Sequence, residues 1–156
     1  MVLHRIITGG QTGVDRAALD TAAALGYAIG GWCPKGRRTE DGPLNMRYPL
    51  LETPTEAYLQ RTQWNVRDSD GTLILDDGRP SHGTRATELA AERLERPCLV
   101  VAIAGTDTLA AVQEWMTTHR IGILNVAGAR ESEAPGIYDA ACRYLNALLA
   151  VLATTP

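Results

Sequence analysis

The sequence predicts a three-layer α/β fold: a doubly wound parallel sheet of about five core strands, covered by helices on both faces. Two observations carry this expectation. Short runs rich in β-branched residues alternate along the chain with longer stretches of helical period, the pattern that buries a parallel sheet between two helix layers. Two of the strand-to-helix junctions, "TGGQTG" and "GRPSHGT", are rich in glycine and hydroxyl side chains. Doubly wound sheets gather such turns beyond the carboxyl ends of their strands, where ligands bind.

Taken in order, "HRIIT" (4–8) reads as the first strand. Val14, Ala17, Ala18, Thr21, Ala22 and Leu25 then repeat at helical spacing, and Gly26 supplies a stop. "YAIGG" (27–31) is a short second strand. The stretch "CPKGRRTEDGPLNMRYP" (33–49) has no apolar period and reads as a long loop; loops beyond ~12–15 residues in compact domains are usually functional or disordered. A helix follows that carries Ala57, Tyr58, Arg61 and Trp64, with Thr55 placed to cap it, and a polar turn over 65–71 closes it. "TLILD" (72–76), "CLVVAI" (98–103) and "GILNV" (122–126) are the third to fifth strands. Helical patterns succeed them, beginning at Gly83, over 108–118 and over 135–152, where Pro135 suits a first turn. If both glycine turns serve one ligand, the first and third strands are neighbours, and the expected order is 2-1-3-4-5. No repeat or low-complexity linker interrupts the chain, so residues 1–156 are read as one domain.

Composition narrows the function. A net charge of -3 argues against a general nucleic-acid binder. The three cysteines, Cys33, Cys98 and Cys142, are far apart with no CxxC pair, which fits a reducing compartment and neither a disulfide framework nor a structural zinc site. His4, His82 and His119 lack metal-ligand spacing, so no metal held by side chains is expected. No signal pattern opens the chain, and no apolar run approaches the ~18 residues of a membrane span. A cytoplasmic protein without membrane or nucleic-acid partners is expected.

The first glycine turn allows positive φ, close backbone approach and free N–H groups at a helix start, all suited to an anion. It matches neither a Walker loop nor the GxGxxG spacing. Asp15 leaves two readings open. Thr12 with Asp15 resembles a capping box, or else Asp15 faces a ligand hydroxyl or base edge while Arg16 offsets its charge. "NVAGARESEAPGIY" (125–138) is a third polar turn at a strand end, from which Arg130 and Ser132 reach toward a ligand phosphate. Lys35 is the one lysine among 15 basic residues and sits in the glycine-rich loop.

"GGQTGVDRAALD", "GGWCPKGRR.EDG", "RT.WNVRDSDGTLIL", "GT..T" and "NVAG.RES..P.IY" together resemble the "putative molybdenum carrier" family over nearly the whole chain. That family is kin to the lysine-decarboxylase-like phosphoribohydrolases and to the DNA-processing protein of natural transformation. The resemblance implies a Rossmann-like domain that binds molybdenum cofactor (molybdopterin) or a nucleotide-like ligand, as a homo-oligomer, dimer or tetramer. It assigns Gly9, Gly10, Gln11, Thr12 and Gly13 to a first phosphate-binding turn and Gly83, Thr84 and Thr87 to a second. Lys35, Arg37 and Arg130 become charge partners, and Asn65 and Asp68 read the rest of the ligand.

One departure matters. The phosphoribohydrolase pattern PGGxGTxxE has its glutamate where Thr87 stands, with Glu88 one residue on, which turns the side chain by about 100° around a helix. Pro80 and Ser81 replace the paired glycines. A binding protein is therefore expected ahead of two alternatives: a nucleotide hydrolase using Asp15, Asp68 or Glu88, and a nucleotide-sensing signalling protein. A bulky residue at Gly13 is expected to abolish binding while leaving the fold intact.

Overall fold

A computed structural model describes residues 2–105 and 107–154. In chain order it contains β1 (Arg5–Ile7), α1 (Val14–Ala24), β2 (Ala28–Gly30), β3 (Trp32–Cys33), a 3-10 turn (Lys35–Arg37), β4 (Leu51–Glu52), α2 (Tyr58–Arg67) and β5 (Gly71–Asp76). Next come α3 (His82–Arg93), β6 (Cys98–Ala102), α4 (Leu109–Thr118), β7 (Ile123–Gly128) and α5 (Ile137–Ala153). No helix among the described residues is long and apolar enough to cross a membrane.

The three-layer α/β class stands. A five-stranded sheet runs β2-β1-β7-β5-β6, and every neighbouring pair is parallel. Helices α1, α4 and α5 pack together, and α2 packs with α3. The large core joins Ile6, Leu73, Leu124 and Val126 of the strands to Val14, Ala17, Leu145 and Leu148 of the helices. A smaller cluster sets Val66 of α2 against Ala90 and Ala91 of α3, with Cys98 beside them.

The strand order departs from the expected 2-1-3-4-5. Counted as the sequence reads them, the strands run 2-1-5-3-4, because β7 is inserted between β1 and β5. Ile6 of β1 pairs with Leu124, while Leu73 of β5 pairs with Val126. The physical reason lies in β7 itself. Its carboxyl end is small, and a Cβ on Gly128 would stand 2.5 Å from Val14 Cγ2 and 2.7 Å from Leu75 O. The adjacent Asn125 is buried and donates to Thr72 Oγ1 at 3.1 Å. Only a central strand brings α1 and β5 so close on both sides.

Other boundaries moved for local reasons. Thr55 does not cap α2; its hydroxyl donates to Gln60 Oε1 at 2.7 Å, and Ala57 is the cap position. The helix runs on to Arg67, so Asn65 is a helix residue rather than part of a polar turn. Ser81 caps α3, its Oγ accepting the Thr84 N–H at 3.2 Å.

The long loop is ordered. Cys33, Leu44, Tyr48 and Leu50 form a second core with Leu19 of α1, and β3 pairs with β4 across the base of the loop. Arg37 is its hub. The backbone there is left-handed, φ 56°, and the buried guanidinium donates to the carbonyls of Leu44, Leu50, Asn45 and Tyr48 at 3.0, 3.0, 3.0 and 2.7 Å. These carbonyls have no strand or helix to serve them, and one planar fork serves them all.

Arg37→Ala is expected to cost about 3 kcal/mol of unfolding free energy in denaturant titration, because it leaves the Leu44 and Leu50 carbonyls without their donor and strips one donor each from Asn45 and Tyr48, which keep a backbone N–H. Arg37→Lys should recover little, since one ammonium cannot span the fork. A loss below about 0.5 kcal/mol, the size of an ordinary surface change, would refute this role.

Candidate functional site

Inserting β7 beside β1 and β5 collects three strand-to-helix turns at one end of the sheet. A cavity of about 250 Å³ opens there. Its walls are Gln11 and Asp15 from the start of α1, Tyr58, Arg61 and Thr62 from α2, and His82, Gly83 and Thr87 from α3. Gly128, Arg130 and Glu133 from the end of β7 and its following turn complete it. A recess of about 20 Å³ continues toward the sheet between Gly9, Asp15, Arg61, Asn65 and Asn125, space for about one water molecule.

Arg61 dominates the chemistry. Its Nε is buried with no hydrogen-bond partner. The guanidinium donates from Nη1 to Thr62 Oγ1 and stands 5.3 Å from the Tyr58 ring centroid. It lies over the backbone of Gly9, where a Cβ would come within 2.6 Å of Nε. Any side chain at position 9 would therefore push the guanidinium aside. Burial lowers the Arg61 pKa, and the Asp15 charge partly offsets that.

Asp15 faces the same cavity and is only 6% exposed. Burial raises its carboxyl pKa against the pull of Arg61, the Gln11 N–H, Arg16 and the Gly9 N–H. The capping-box reading does not describe α1: Gly13 is its N-cap with no side-chain cap bond. Asp15 Oδ2 instead accepts the Gln11 N–H at 3.2 Å, bracing the glycine turn from inside.

The other expected site residues divide into two groups. Gly9, Gln11, Asp15, Asn65, Gly83, Thr87 and Arg130 line the cavity or its recess. Asn65, however, is spent on Trp32, accepting its N–H at 2.8 Å and donating to its carbonyl at 3.0 Å. Thr87 donates to Gly83 O at 2.8 Å, and the Thr84 N–H belongs to the Ser81 cap.

The remaining residues have other work. Arg37 holds the long loop, Lys35 is exposed, and Asp68 accepts the Trp32 indole N–H at 2.8 Å. Gly10, with φ 77°, fits beneath Leu44 and Leu50. Arg16 donates to both oxygens of Asp41 at 3.0 and 3.2 Å, which with Thr39 holds the Asp41 carboxyl down at about 2.

Glu40 accounts for Thr12 and Ser132. Both hydroxyls donate to its carboxylate, and the Ser132 N–H adds a bond of 3.1 Å. Arg130 Nε lies 3.6 Å from it and 3.0 Å from Glu133, ion pairs without aligned hydrogen bonds. Burial pushes the Glu40 carboxyl up, but the bonds from Ser132 and Thr12 and the Arg130 charge leave it below its ordinary value. A protein carboxylate thus sits where the sequence suggested a ligand anion. Glu40 Oε1 and Oε2 take over the expected phosphate contacts, and the Glu40 N–H donates to Gln11 Oε1 at 2.9 Å.

Sequence reasoning missed Arg61, Glu40 and Glu133. Arg61 carried a visible helical phase but no sign of which side its face would meet. The acidic pair Glu40–Asp41 was visible within "RRTEDG", yet nothing in the pattern says that it docks on Thr12 and Arg16. A larger hollow of about 720 Å³ opens where β5 and β6 end against α5. Its Arg79 is already paired with Asp77 and its Arg143 is exposed, so the smaller cavity has the stronger chemistry.

Gly13 is the first position where a substitution separates turn from ligand. Its φ is 77°, and a Cβ would stand 2.4 Å from Ala129 O, so the expectation of an intact fold is corrected. Gly13→Ala should lower Tm by at least about 3 °C for a chain of this size. An unchanged Tm would refute the packing account.

The circularly permuted YpsA SLOG family matches over residues 6–149. Among solved structures, a protein from Syntrophus aciditrophicus described as "putative molybdenum carrier protein" is similar at 42% sequence identity and a TM-score of 0.89. The match covers 95% of this chain and 96% of that one. No curated protein matches. With a family match that runs from β1 into α5, the chain belongs to the circularly permuted YpsA SLOG family.

Proposed function

We propose that this chain is a binding protein whose cleft holds a small phosphate-bearing ligand, molybdenum cofactor or a nucleotide-like molecule, by its anionic group. The observation that carries the reading is the buried, unpartnered Arg61 Nε beside the cavity. A buried cationic donor without a partner is costly to the free protein, and an incoming anion relieves that cost. Around it, the Gly9–Gly13 turn forms one side, its Gly10, Gln11 and Thr12 N–H groups donating to Thr8 Oγ1, Asp15 Oδ2 and Gln11 Oε1, and Gly83, Thr87 and Arg130 frame the opposite side. Thr12 and Ser132 become available only if Glu40 yields.

The name of the Syntrophus protein makes a molybdenum-related cargo a candidate. Among the described residues no group of three or more His, Cys, Asp or Glu side chains could hold a metal ion. The Arg61 donor fits an anion, so such a cargo would be held through phosphate or oxyanion oxygens. The same reading has the protein act in the cytoplasm as a homo-oligomer, apart from nucleic acid and membranes. Of the three acids a hydrolase was expected to use, Asp15 lines the cavity, Asp68 is held by Trp32, and Glu88 bears on Cys98.

Mass spectrometry of the purified protein, with thermal-shift scans of nucleotides and molybdopterin, tests the proposal. Arg61→Met is expected to weaken binding about 10- to 100-fold, the worth of a charge-assisted bond. The unliganded variant also loses the Thr62 bond, the Tyr58 contact and the charge facing Asp15, so its Tm is measured alongside and binding is compared at a temperature where both proteins are folded. Undiminished binding by the variant would overturn the site, and steady release of free base or phosphate would overturn the binding-protein reading.

A further inference from the structure

The cavity sets a carboxylate, Asp15, beside the cation meant for an anion. The two do not form a direct ion pair; Asp15 and Arg61 attract each other across the site. Asp15 reaches the cavity from α1 with 6% of its surface exposed. The N–H groups of Gln11 and Gly9 hold it from behind. Burial raises the Asp15 pKa, opposed by Arg61 and these N–H groups, and alkaline pH favours the ionised form, which accepts at about four lone-pair positions and donates at none, so capacity remains for a donor that the ligand must bring.

This requirement divides anions into two classes. Sulfate and molybdate at neutral pH are tetrahedral dianions with acceptor oxygens only. Against Arg61 they gain, but against Asp15 they meet a second acceptor and a like charge in a confined site of reduced dielectric. Hydrogen phosphate carries a proton that it can donate to Asp15. A phosphate ester of a sugar brings hydroxyl groups that do the same.

We infer that Asp15 makes the cleft selective for phosphates and phosphate esters that present a hydrogen-bond donor beside the anionic head. It rejects tetrahedral oxyanions without a proton, bare molybdate among them. The inference rests on the anion-binding reading of the cleft and names the ligand class within it. A molybdenum cargo then enters as part of a phosphate-bearing molecule and not as free molybdate. Glu133, on the rim, adds to the bias in the same direction, but its charge is already engaged by Arg130 at 3.0 Å.

Isothermal titration at pH 8 with inorganic phosphate, ribose 5-phosphate, sulfate and sodium molybdate tests it, on the wild type, Asp15→Asn and Arg61→Met. The wild type is expected to bind phosphate and ribose 5-phosphate at least about tenfold more tightly than sulfate or molybdate, one well-placed donor's worth. Asp15→Asn keeps an oxygen for the Gln11 N–H and removes the charge. It should bring the four anions to within about threefold of one another by gaining sulfate and molybdate. Equal wild-type affinity for molybdate and phosphate overturns the filter, whether or not Asp15→Asn folds. An unchanged ranking in a folded Asp15→Asn protein overturns it as well. Phosphate binding that depends on Arg61 but shows no ranking sinks the filter alone, whereas no anion binding by the wild type sinks both readings.

Discussion

The insertion of β7 between β1 and β5 is the constraint on which the rest of the structure depends. A central parallel strand must pair on both edges and be covered on both faces, and β7 does so with Leu124 and Val126 in the core and Asn125 tied to Thr72. Its last residue, Gly128, is small because Val14 of α1 and the backbone of β5 leave no room for more. The turn that follows is thereby forced over the start of α1. Gly13 touches Ala129, and Glu131 donates its N–H to Thr12 Oγ1 at 3.1 Å. The cleft is what remains between α1, α2 and α3 once β7 is in place.

Charge is distributed around that cleft on a consistent principle. Most of the arginines expected to meet a ligand are employed by the protein. Arg37 organises the carbonyls of the long loop, Arg16 clamps Asp41, and Arg130 is shared between Glu40 and Glu133. These contacts draw the loop over the glycine turn, so that Glu40 occupies the hydroxyls of Thr12 and Ser132. Arg61, which the sequence did not single out, has a buried Nε with no hydrogen-bond partner and lines the cavity. Arg16 and Arg130 also have a buried Nε without an aligned partner, but both are engaged in ion pairs. The cavity thus places a guanidinium and a carboxylate, Arg61 and Asp15, on the walls of one small recess.

The elements were legible because hydrophobic period is a local property. The helical repeat from Val14 to Leu25 and the runs "TLILD" and "GILNV" declare themselves from residues within one window, and each became the element it suggested. The glycine turns were legible as turns for the same reason. Strand order was not, since nothing in the period of "GILNV" records which neighbours it pairs with. The long loop also hid its role: Leu44, Tyr48 and Leu50 follow no repeat because they pack on Leu19 across the fold and not on each other's helix face.

What the sequence by itself determined is therefore the inventory: a parallel α/β sheet, its helices, and the glycine turns that join them. Tertiary structure alone decided which side chains face that site. Arg61 entered because α2 crosses over Gly9. Lys35 and Asp68 were left outside, and Thr12 and Ser132 were given to Glu40. Asp15 was turned from a suspected helix cap into a wall of the cavity. Such assignments depend on distances between residues far apart in the chain, set by packing in the folded sheet, and local period carries no record of them.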